Sequence, residues 1–320
     1  MWGLIYAGAF LAAFAVSAAL KMTADPFGGK YTAAWDSTVG SVYTDLPYGD
    51  GEANKFDLYV PADRGRESYG LVVYLHAGGF TSGDKSGDHE ILKWLCAKGY
   101  VAAGINYTLF SGEHPEANVY TQSVEIRDSI PFVLAEAEKL GYPIDRMAVS
   151  GGSAGHALAM LYAYRDADTS PVPVKMTFGA VGPSCFNLED WINMGADPSQ
   201  LNAVDPEGDY SGMAGLFSAM AGKEITADML ASGAYLEAVK DISAAMWVDE
   251  RSAPSVHAYG AWDRMQAFSA SKRLDAALTR HGVPHEYIVF PHSGHGLQND
   301  NAQYALYMEK VEEYLERYMG

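Results

Sequence analysis

The sequence predicts an α/β fold in which a mostly parallel, eight-stranded sheet carries helices on both faces, with an inserted helical cap. Strand-like and helix-like patterns alternate from Val39 onward, which indicates a parallel sheet with connecting helices. Residues 71–75 are apolar without interruption, as is typical of a strand buried on both faces. Between Gly182 and Pro254 lie about 70 residues without a strand pattern, rich in Met and aromatic residues. We expect that segment to be the cap and to supply an adaptable apolar lining.

The elements follow one another in a regular order. Residues 41–49 and 54–61 predict two antiparallel strands, because the turn-rich GDGEA joins them. Six further strands are predicted, in the stretches YGLVVYL (69–75), YVAAGINYTL (100–109), DRMAVSGGS (145–153), VKMTFGAVG (174–182), PSVHAYGA (254–261) and HEYIVFPH (285–292). Helices are predicted at residues 88–99, 120–140, 154–164, 265–282 and 303–318.

Composition limits the function classes. The chain has 320 residues, of which 48% are apolar and 19% charged, with a net charge of −18. We expect one catalytic domain over residues 39–320, with the cap at about 184–250. An acidic surface disfavours nucleic-acid binding. The two cysteines, Cys96 and Cys185, leave their pairing open. No Cys/His spacing resembles a zinc site, so we expect no metal.

The amino-terminal segment differs from the rest of the chain. Residues 1–20 carry no charge and no proline, and Lys21 ends the run. A stretch of this length can span a bilayer as a helix, or serve as a secretory signal cleaved near Val16-Ser17-Ala18. It can also pack as an arm on the domain or on a second subunit. Residues 1–22 therefore predict a membrane-associated or exported protein, with a cytoplasmic protein as the alternative. Oligomeric state stays open.

Ser153 lies in the stretch AVSGGSAGHALAM, within a G-x-S-x-G pattern. The pattern follows a predicted strand and precedes a helix, which is the context that gives it meaning as a nucleophile elbow. Gly151 and Gly155 permit a tight turn there, and the N–H of Ala154 opens the helix beside the serine. A phosphate-binding loop and a plain turn are the alternatives, but no Lys follows as a P-loop requires.

A nucleophilic serine needs a base and an orienting carboxylate. His295 is the candidate base, because it follows the last strand between two glycines in PHSGHG; His292 is its alternative. Asp263 is the candidate acid, because it follows the strand that ends near Gly260. Asp249 and Glu250 precede that strand, at the opposite edge of the sheet.

The stretch HAGGF, residues 76–80, follows the buried strand 71–75. Its two glycines, Gly78 and Gly79, allow backbone N–H groups to approach a substrate oxygen, as stabilising a tetrahedral intermediate requires. His76 is expected to stabilise the loop by hydrogen bonding rather than to take part in catalysis.

With these motifs in this order, the chain resembles the α/β-hydrolases over residues 45–318. More narrowly, it resembles the esterase/lipase group related to hormone-sensitive lipase and the small bacterial carboxylesterases and feruloyl esterases. HAGGF resembles that group's His-Gly-Gly-Gly loop, GGSAG its nucleophile elbow, and GAWD and HSGHG its acid and base loops. The resemblance implies an oxyanion hole formed by the amides of Gly78, Gly79 and Ala154. Ala77 stands where the group usually has glycine, which affects loop shape and acyl-pocket size.

The implied activity is cofactor-free hydrolysis of a small-molecule carboxylic ester, with a mainly apolar or short-to-medium acyl group, through the triad Ser153, Asp263 and His295. The alternatives are a serine peptidase of the prolyl-oligopeptidase type and a non-catalytic binding module. Peptidases of that type usually carry a large amino-terminal propeller, and fewer than about 60 residues precede the first core strands here. A non-catalytic relative generally lacks Ser or His, and this chain has both.

Overall fold

The computed structural model describes residues 29–197, 199–205 and 207–320. Eight strands form one sheet: β1 (Gly40–Pro47), β2 (Lys55–Pro61), β3 (Tyr69–Leu75), β4 (Val101–Ile105), β5 (Ile144–Gly152), β6 (Val174–Ala180), β7 (Ser255–Gly260) and β8 (His285–Phe290). Their order across the sheet is β1-β2-β4-β3-β5-β6-β7-β8. β2 runs antiparallel to both of its neighbours, and every other pair is parallel. The predicted mostly parallel sheet of eight strands is confirmed.

Helices cover both faces of the sheet. They are α1 (His89–Ala97), α2 (Val119–Lys139), α3 (Ala154–Leu161), α4 (Leu188–Trp191), α5 (Ser211–Ala221), α6 (Ala227–Ser232), α7 (Tyr235–Val239), α8 (Phe268–His281) and α9 (Asn301–Met319). Side chains of β3 alternate between the two faces. Leu71 and Val73 belong to the core under α2, α3 and α8, whereas Val72 belongs to the core under α1 and α9.

One predicted helix begins later than the pattern indicates. The stretch from residue 265 predicts a helix, but α8 starts at Phe268. The backbone N–H groups of Met265 and Gln266 donate to Asp263 Oδ1 at 2.8 and 3.2 Å. These bonds fold the residues after Asp263 into a turn that precedes α8.

The segment between β6 and β7 contains the short helices α4 to α7 and no strand among its described residues. Four buried aromatic side chains hold it together: Phe186, Trp191, Phe217 and Tyr235, with ring centroids 5.0 to 5.9 Å apart. These rings belong to the same apolar core as Leu71 and Val73 of β3, so the segment packs onto the rest of the domain. We refer to residues 181–254 below as the cap segment.

The amino-terminal segment, residues 1–22, lies outside the described residues. Within the part of the chain that the structure describes, no helix is both long and apolar enough to cross a membrane.

Candidate active site

Ser153 lies at the turn between β5 and α3, in a backbone conformation that few side chains adopt. Its φ is 51° and its ψ is −117°, a strained combination for a residue other than glycine. The N–H of Ser153 donates to the carbonyl of Ala180 at 2.8 Å, which ties the turn to the end of β6. Such strain clusters at functional sites, and here it lifts the hydroxyl above the carboxyl edge of the sheet.

Two glycines make this turn sterically accessible. A Cβ atom on Gly151 would lie 2.5 Å from the backbone carbon of Gly155, closer than side-chain atoms can approach. A Cβ atom on Gly155 would meet the backbone of Leu75, so the elbow needs glycine at both positions, as the G-x-S-x-G pattern predicts.

Ser153, His295 and Asp263 form a chain of hydrogen bonds. Ser153 Oγ lies 2.7 Å from His295 Nε2, and His295 Nδ1 lies 2.8 Å from Asp263 Oδ2. A carboxylate only accepts hydrogen bonds, so Nδ1 carries a proton and Nε2 is left to accept the serine proton. The structure thus brings together the three residues that the sequence predicts as a triad, in the arrangement that activates a serine.

Asp263 is almost completely buried, with 1% of its surface exposed. Its Oδ1 accepts the backbone N–H groups of Met265 and Gln266, and its Oδ2 accepts His295 Nδ1 and the side-chain amide of Gln266. These donors satisfy the hydrogen-bonding capacity of the buried carboxylate. They also fix the direction in which Asp263 faces His295.

Two backbone N–H groups of the HAGGF loop, those of Gly78 and Gly79, point away from the hydrogen bonds that hold the loop. The carbonyl of Ala77 accepts His76 Nδ1 at 2.9 Å, and the carbonyl of Gly78 accepts Ser82 N–H at 3.0 Å. In a planar trans peptide the next N–H points the opposite way. The N–H groups of Gly78 and Gly79 therefore face away from those partners, and both glycines line the same cavity as Ser153.

No hydrogen bond within the described part of the chain uses the N–H groups of Gly78 and Gly79. The N–H of Ala154, in the first turn of α3, has no acceptor within its helix either. The first-turn N–H groups also carry the positive end of the helix dipole. These three amides, which the resemblance assigns as oxyanion donors, thus remain available beside Ser153.

Buried side chains hold the HAGGF loop in place. The His76 ring stacks on Tyr107, with centroids 4.3 Å apart, and Tyr107 OH donates to the carbonyl of His76 at 2.9 Å. Burial lowers the pKa of His76, so the ring is neutral. His76 therefore supports the loop, as predicted from the sequence.

The cavity in front of Ser153 has a volume of about 560 Å³. The HAGGF loop, residues 81 and 82 and His295 form one part of its wall. The cap segment contributes Trp191 and Met220, and the acid loop contributes Met265 and Gln266. No Lys, Arg, Asp or Glu is found among the described residues of this lining.

The comparison with solved structures supports this fold. The structure resembles a truncated form of a carbohydrate esterase from gut microbiota, with a TM-score of 0.66 and 16% identity over 90% of this chain and 100% of that one. It also resembles Est2, an esterase of Thermogutta terrifontis, with a TM-score of 0.64 and 18% identity over 88% of this chain and 95% of that one. At such low identity, these similarities establish the α/β-hydrolase fold.

A family model described as BD-FAE matches residues 56–278, which include Ser153 and Asp263. The chain belongs to the BD-FAE family. The resemblance to the esterase/lipase group of α/β-hydrolases is thereby confirmed. The BD-FAE match ends before His295, so the base loop lies outside it.

Curated relatives match shorter stretches. The probable carboxylic ester hydrolase LipM of Mycobacterium tuberculosis is 29% identical over 37% of this chain and 27% of its own length. The kynurenine formamidase of Salmo salar is 31% identical over 36% of each chain, and that of Danio rerio is 29% identical over 48% of this chain and 49% of its own. The chain therefore spans about a quarter to a half of the curated relatives that it matches.

The residues considered as alternatives to His295 and Asp263 do not join the hydrogen-bonded triad of this BD-FAE protein. His292 has a side chain that is 79% exposed, and its Nδ1 lies 2.7 Å from Asp300 Oδ1. Asp249 bonds to Arg251 ahead of β7, at the opposite edge of the sheet from Ser153. Glu250 is also ahead of β7, 3.9 Å from His281. None of the three contacts Ser153 or His295.

Sequence reasoning missed a buried polar chain behind the elbow. Gly182 N–H donates to His156 Nδ1 at 3.0 Å, so His156 Nε2–H donates to His257 Nδ1 at 2.9 Å. His257 Nε2–H then donates to Tyr164 OH at 2.9 Å. Burial lowers the pKa of His156 to about 3 and that of His257 well below its ordinary value. Both rings are neutral. By accepting the N–H of Gly182, His156 fixes the backbone two residues after Ala180, whose carbonyl accepts Ser153 N–H.

The two cysteines lie apart in the fold. Cys96 is in α1 and Cys185 is in the cap segment, and both are buried free thiols. Burial raises the pKa of each to about 12, so neither is a thiolate nucleophile at neutral pH. Among the described residues, no group of three or more His, Cys, Asp or Glu side chains could hold a metal ion.

Proposed function

We propose that this BD-FAE protein is a serine carboxylesterase that hydrolyses neutral esters through an acyl-enzyme on Ser153. The observation that carries the proposal is the 2.7 Å contact between Ser153 Oγ and His295 Nε2 at the base of an uncharged cavity. The relatives named as esterases or as a probable carboxylic ester hydrolase support the same class of reaction.

Acylation begins when Ser153 Oγ attacks the ester carbonyl carbon while His295 Nε2 accepts the serine proton. Asp263 holds the imidazole in the correct tautomer and stabilises the imidazolium that forms. The N–H groups of Gly78, Gly79 and Ala154 donate to the oxyanion of the tetrahedral intermediate. His295 then returns its proton to the departing alcohol, which leaves an acyl group on Ser153.

Deacylation repeats these steps with water in place of Ser153. His295 accepts a proton from the water as it attacks the acyl carbonyl, and the same three amides hold the second oxyanion. As this intermediate collapses, His295 returns the proton to Ser153 Oγ, which releases the carboxylic acid and restores the serine and the neutral imidazole. Every group in this scheme belongs to the described chain, the substrate or water.

The substrate class follows from the cavity wall. Trp191, Met220 and Phe80 offer apolar contacts, whereas the described lining contains no Lys, Arg, Asp or Glu to pair with a charged substrate group. A cavity of about 560 Å³ can enclose a short or medium acyl chain together with a leaving group. Burying a charge there without a partner would be costly, so neutral esters are favoured.

The test is hydrolysis of p-nitrophenyl esters from acetate to laurate by the wild type and by Ser153→Ala. We expect turnover by the wild type, with the highest kcat/KM at short or medium chain length, and its loss in the variant. A matched pair, p-nitrophenyl pentanoate and the p-nitrophenyl monoester of succinic acid, tests the preference for neutral groups.

Equal turnover of the pair would contradict the proposed substrate class. A folded wild type that hydrolyses no ester, but cleaves a prolyl peptide or an N-formyl arylamine, would replace the esterase by an amidase. The N-formyl compound is included because two relatives are named kynurenine formamidase.

A further inference from the structure

Gln266 is buried directly behind the acid of the triad. Only 2% of its surface is exposed, yet it also contributes to the wall of the cavity. Its backbone N–H lies 3.2 Å from Asp263 Oδ1, and its side-chain Nε2 lies 3.3 Å from Asp263 Oδ2. One residue therefore contacts both oxygens of the carboxylate.

The orientation of the Gln266 amide follows from its neighbour. Asp263 is an acceptor when ionised, so the NH₂ group rather than the oxygen must face it. Gln266 Oε1 is consequently turned away from Asp263. It is buried and has no hydrogen-bond partner among the described residues.

This arrangement is unfavourable for the folded state alone. A buried acceptor without a partner loses its hydrogen bonds to water and gains nothing in return. An apolar side chain of the same length, such as Met, would fill the space without that loss. The contact that distinguishes Gln266 from an apolar residue is the hydrogen bond from Nε2 to Asp263.

That hydrogen bond shares an oxygen with the catalytic histidine. Asp263 Oδ2 accepts Gln266 Nε2 and also His295 Nδ1, the latter at 2.8 Å. No Lys or Arg forms an ion pair with Asp263 in the described part of the chain. The negative charge of Asp263 is therefore shared among neutral hydrogen-bond donors. Because the Gln266 amide donates to the same oxygen as His295 Nδ1, Oδ2 attracts a protonated imidazole less strongly.

We propose that Gln266 is a positioning residue that fixes the Asp263 carboxylate and sets the pH at which His295 becomes available as a base. The role in catalysis rests on the proposed function. The contact acts through Asp263, since Gln266 does not touch the reacting atoms. Without the amide, Asp263 would hold the imidazolium more tightly, and His295 would keep its proton to higher pH.

Two variants separate this role from simple packing. Gln266→Met keeps the length and removes the amide, whereas Gln266→Asn keeps an amide that is one methylene too short to reach Asp263 Oδ2. The control is Gln122→Met, since Gln122 is equally buried but donates to the carbonyls of Phe80 and Thr108. The pH dependence of kcat/KM is measured for p-nitrophenyl butanoate from pH 5 to 9, together with the melting temperature.

We expect both Gln266 variants to move the midpoint of the acid limb upward by about 0.5 pH unit or more. We also expect the plateau of kcat/KM to fall about tenfold, because Asp263 is held less firmly. Gln266→Met removes an unpaired buried acceptor but also a donor to Asp263, so we expect its melting temperature to stay near that of the wild type. Gln122→Met should keep the wild-type midpoint, whatever it does to the plateau.

An NMR titration of the His295 imidazole, assigned by its absence in His295→Ala, gives the same readout without substrate. The proposal is overturned if the His295 titration and the acid limb of Gln266→Met stay within about 0.2 pH unit of the wild type. A wild type without esterase activity would refute the proposed function. The NMR titration would still test the contact between Gln266 and Asp263.

Discussion

Gly155 and Leu75 approach each other so closely that a Cβ atom on Gly155 would lie 1.9 Å from the Leu75 carbonyl oxygen. This contact joins the start of α3 to the end of β3, and so places Ser153 beside the HAGGF loop that follows Leu75. The distance between nucleophile and oxyanion donors thus depends on the absence of one methyl group.

Gly155→Ala is therefore expected to destabilise the fold by about 3 kcal/mol or more, because backbone must shift to admit the methyl group. The matched control is Gly152→Ala, whose Cβ would meet Tyr74 OH at 3.8 Å and Ala77 Cβ at 3.9 Å, ordinary contact distances. Urea unfolding of both variants makes the comparison. Equal stability of the two would show that the close approach does not constrain the elbow.

Two substitutions of Ser153 distinguish the strain of its backbone from the loss of its hydroxyl group. Ser153→Gly and Ser153→Ala both remove the nucleophile, but only glycine adopts a φ of 51° and a ψ of −117° without strain. We expect Ser153→Gly to be more stable than Ser153→Ala by about 1 kcal/mol. Thermal unfolding of the two inactive variants tests this. A Gly variant no more stable than the Ala variant would show that the elbow is unstrained.

The two histidines of the PHSGHG stretch should differ sharply. His295→Ala removes the group beside Ser153 Oγ, so kcat/KM is expected to fall by about 10³-fold or more. His292→Ala removes an exposed ring whose partner is Asp300, so we expect a change within about threefold. Ester hydrolysis by both purified variants decides between them. A comparable loss in the two would place His292 in the reaction or show that its contact supports the whole loop.

Asp88 should make stability depend on pH. Burial and the nearby charge of Asp84 raise its pKa to about 6, and Oδ2 has no partner among the described residues. Because the folded pKa exceeds the unfolded one, the folded state binds more protons between about pH 4 and 6. The contribution of Asp88 to stability is therefore lost as the pH rises through that range.

Asp88→Asn should accordingly be more stable than the wild type at pH 8, by at most about 3 kcal/mol, and equal to it near pH 4. Urea unfolding at several pH values measures the difference between the two proteins, which cancels the other titrating groups. If the difference does not change between pH 4 and 8, the carboxyl of Asp88 is not forced into a raised pKa.

The triad could be predicted because each member directly follows a strand. Ser153, Asp263 and His295 come after β5, β7 and β8, and the carboxyl ends of parallel strands meet at one edge of the sheet. The position of each residue after a strand was therefore enough to predict that the three side chains lie close together. The same rule placed Asp249 at the opposite edge, where the structure has it.

Contacts between residues far apart in the sequence could not be predicted in this way. His156 and His257 are 101 positions apart, and each stands within an apolar stretch that predicts only a buried element. In the cap segment, Met and aromatic residues indicated an apolar lining. In the structure Trp191 and Met220 line the cavity, whereas Phe217 and Tyr235 pack against each other and are not part of its lining. Composition cannot distinguish these two environments, because both select the same side chains.

The central claim is that Ser153 is the nucleophile, and covalent labelling tests it most directly. The full chain is treated with diethyl p-nitrophenyl phosphate, the released p-nitrophenol is counted, and the modified peptide is identified by mass spectrometry. We expect one p-nitrophenol per chain, a diethylphosphoryl group on Ser153, and loss of esterase activity in proportion to labelling. Ser153→Ala should remain unlabelled. Full esterase activity in the labelled protein, or a label on another residue with Ser153 intact, would contradict the account.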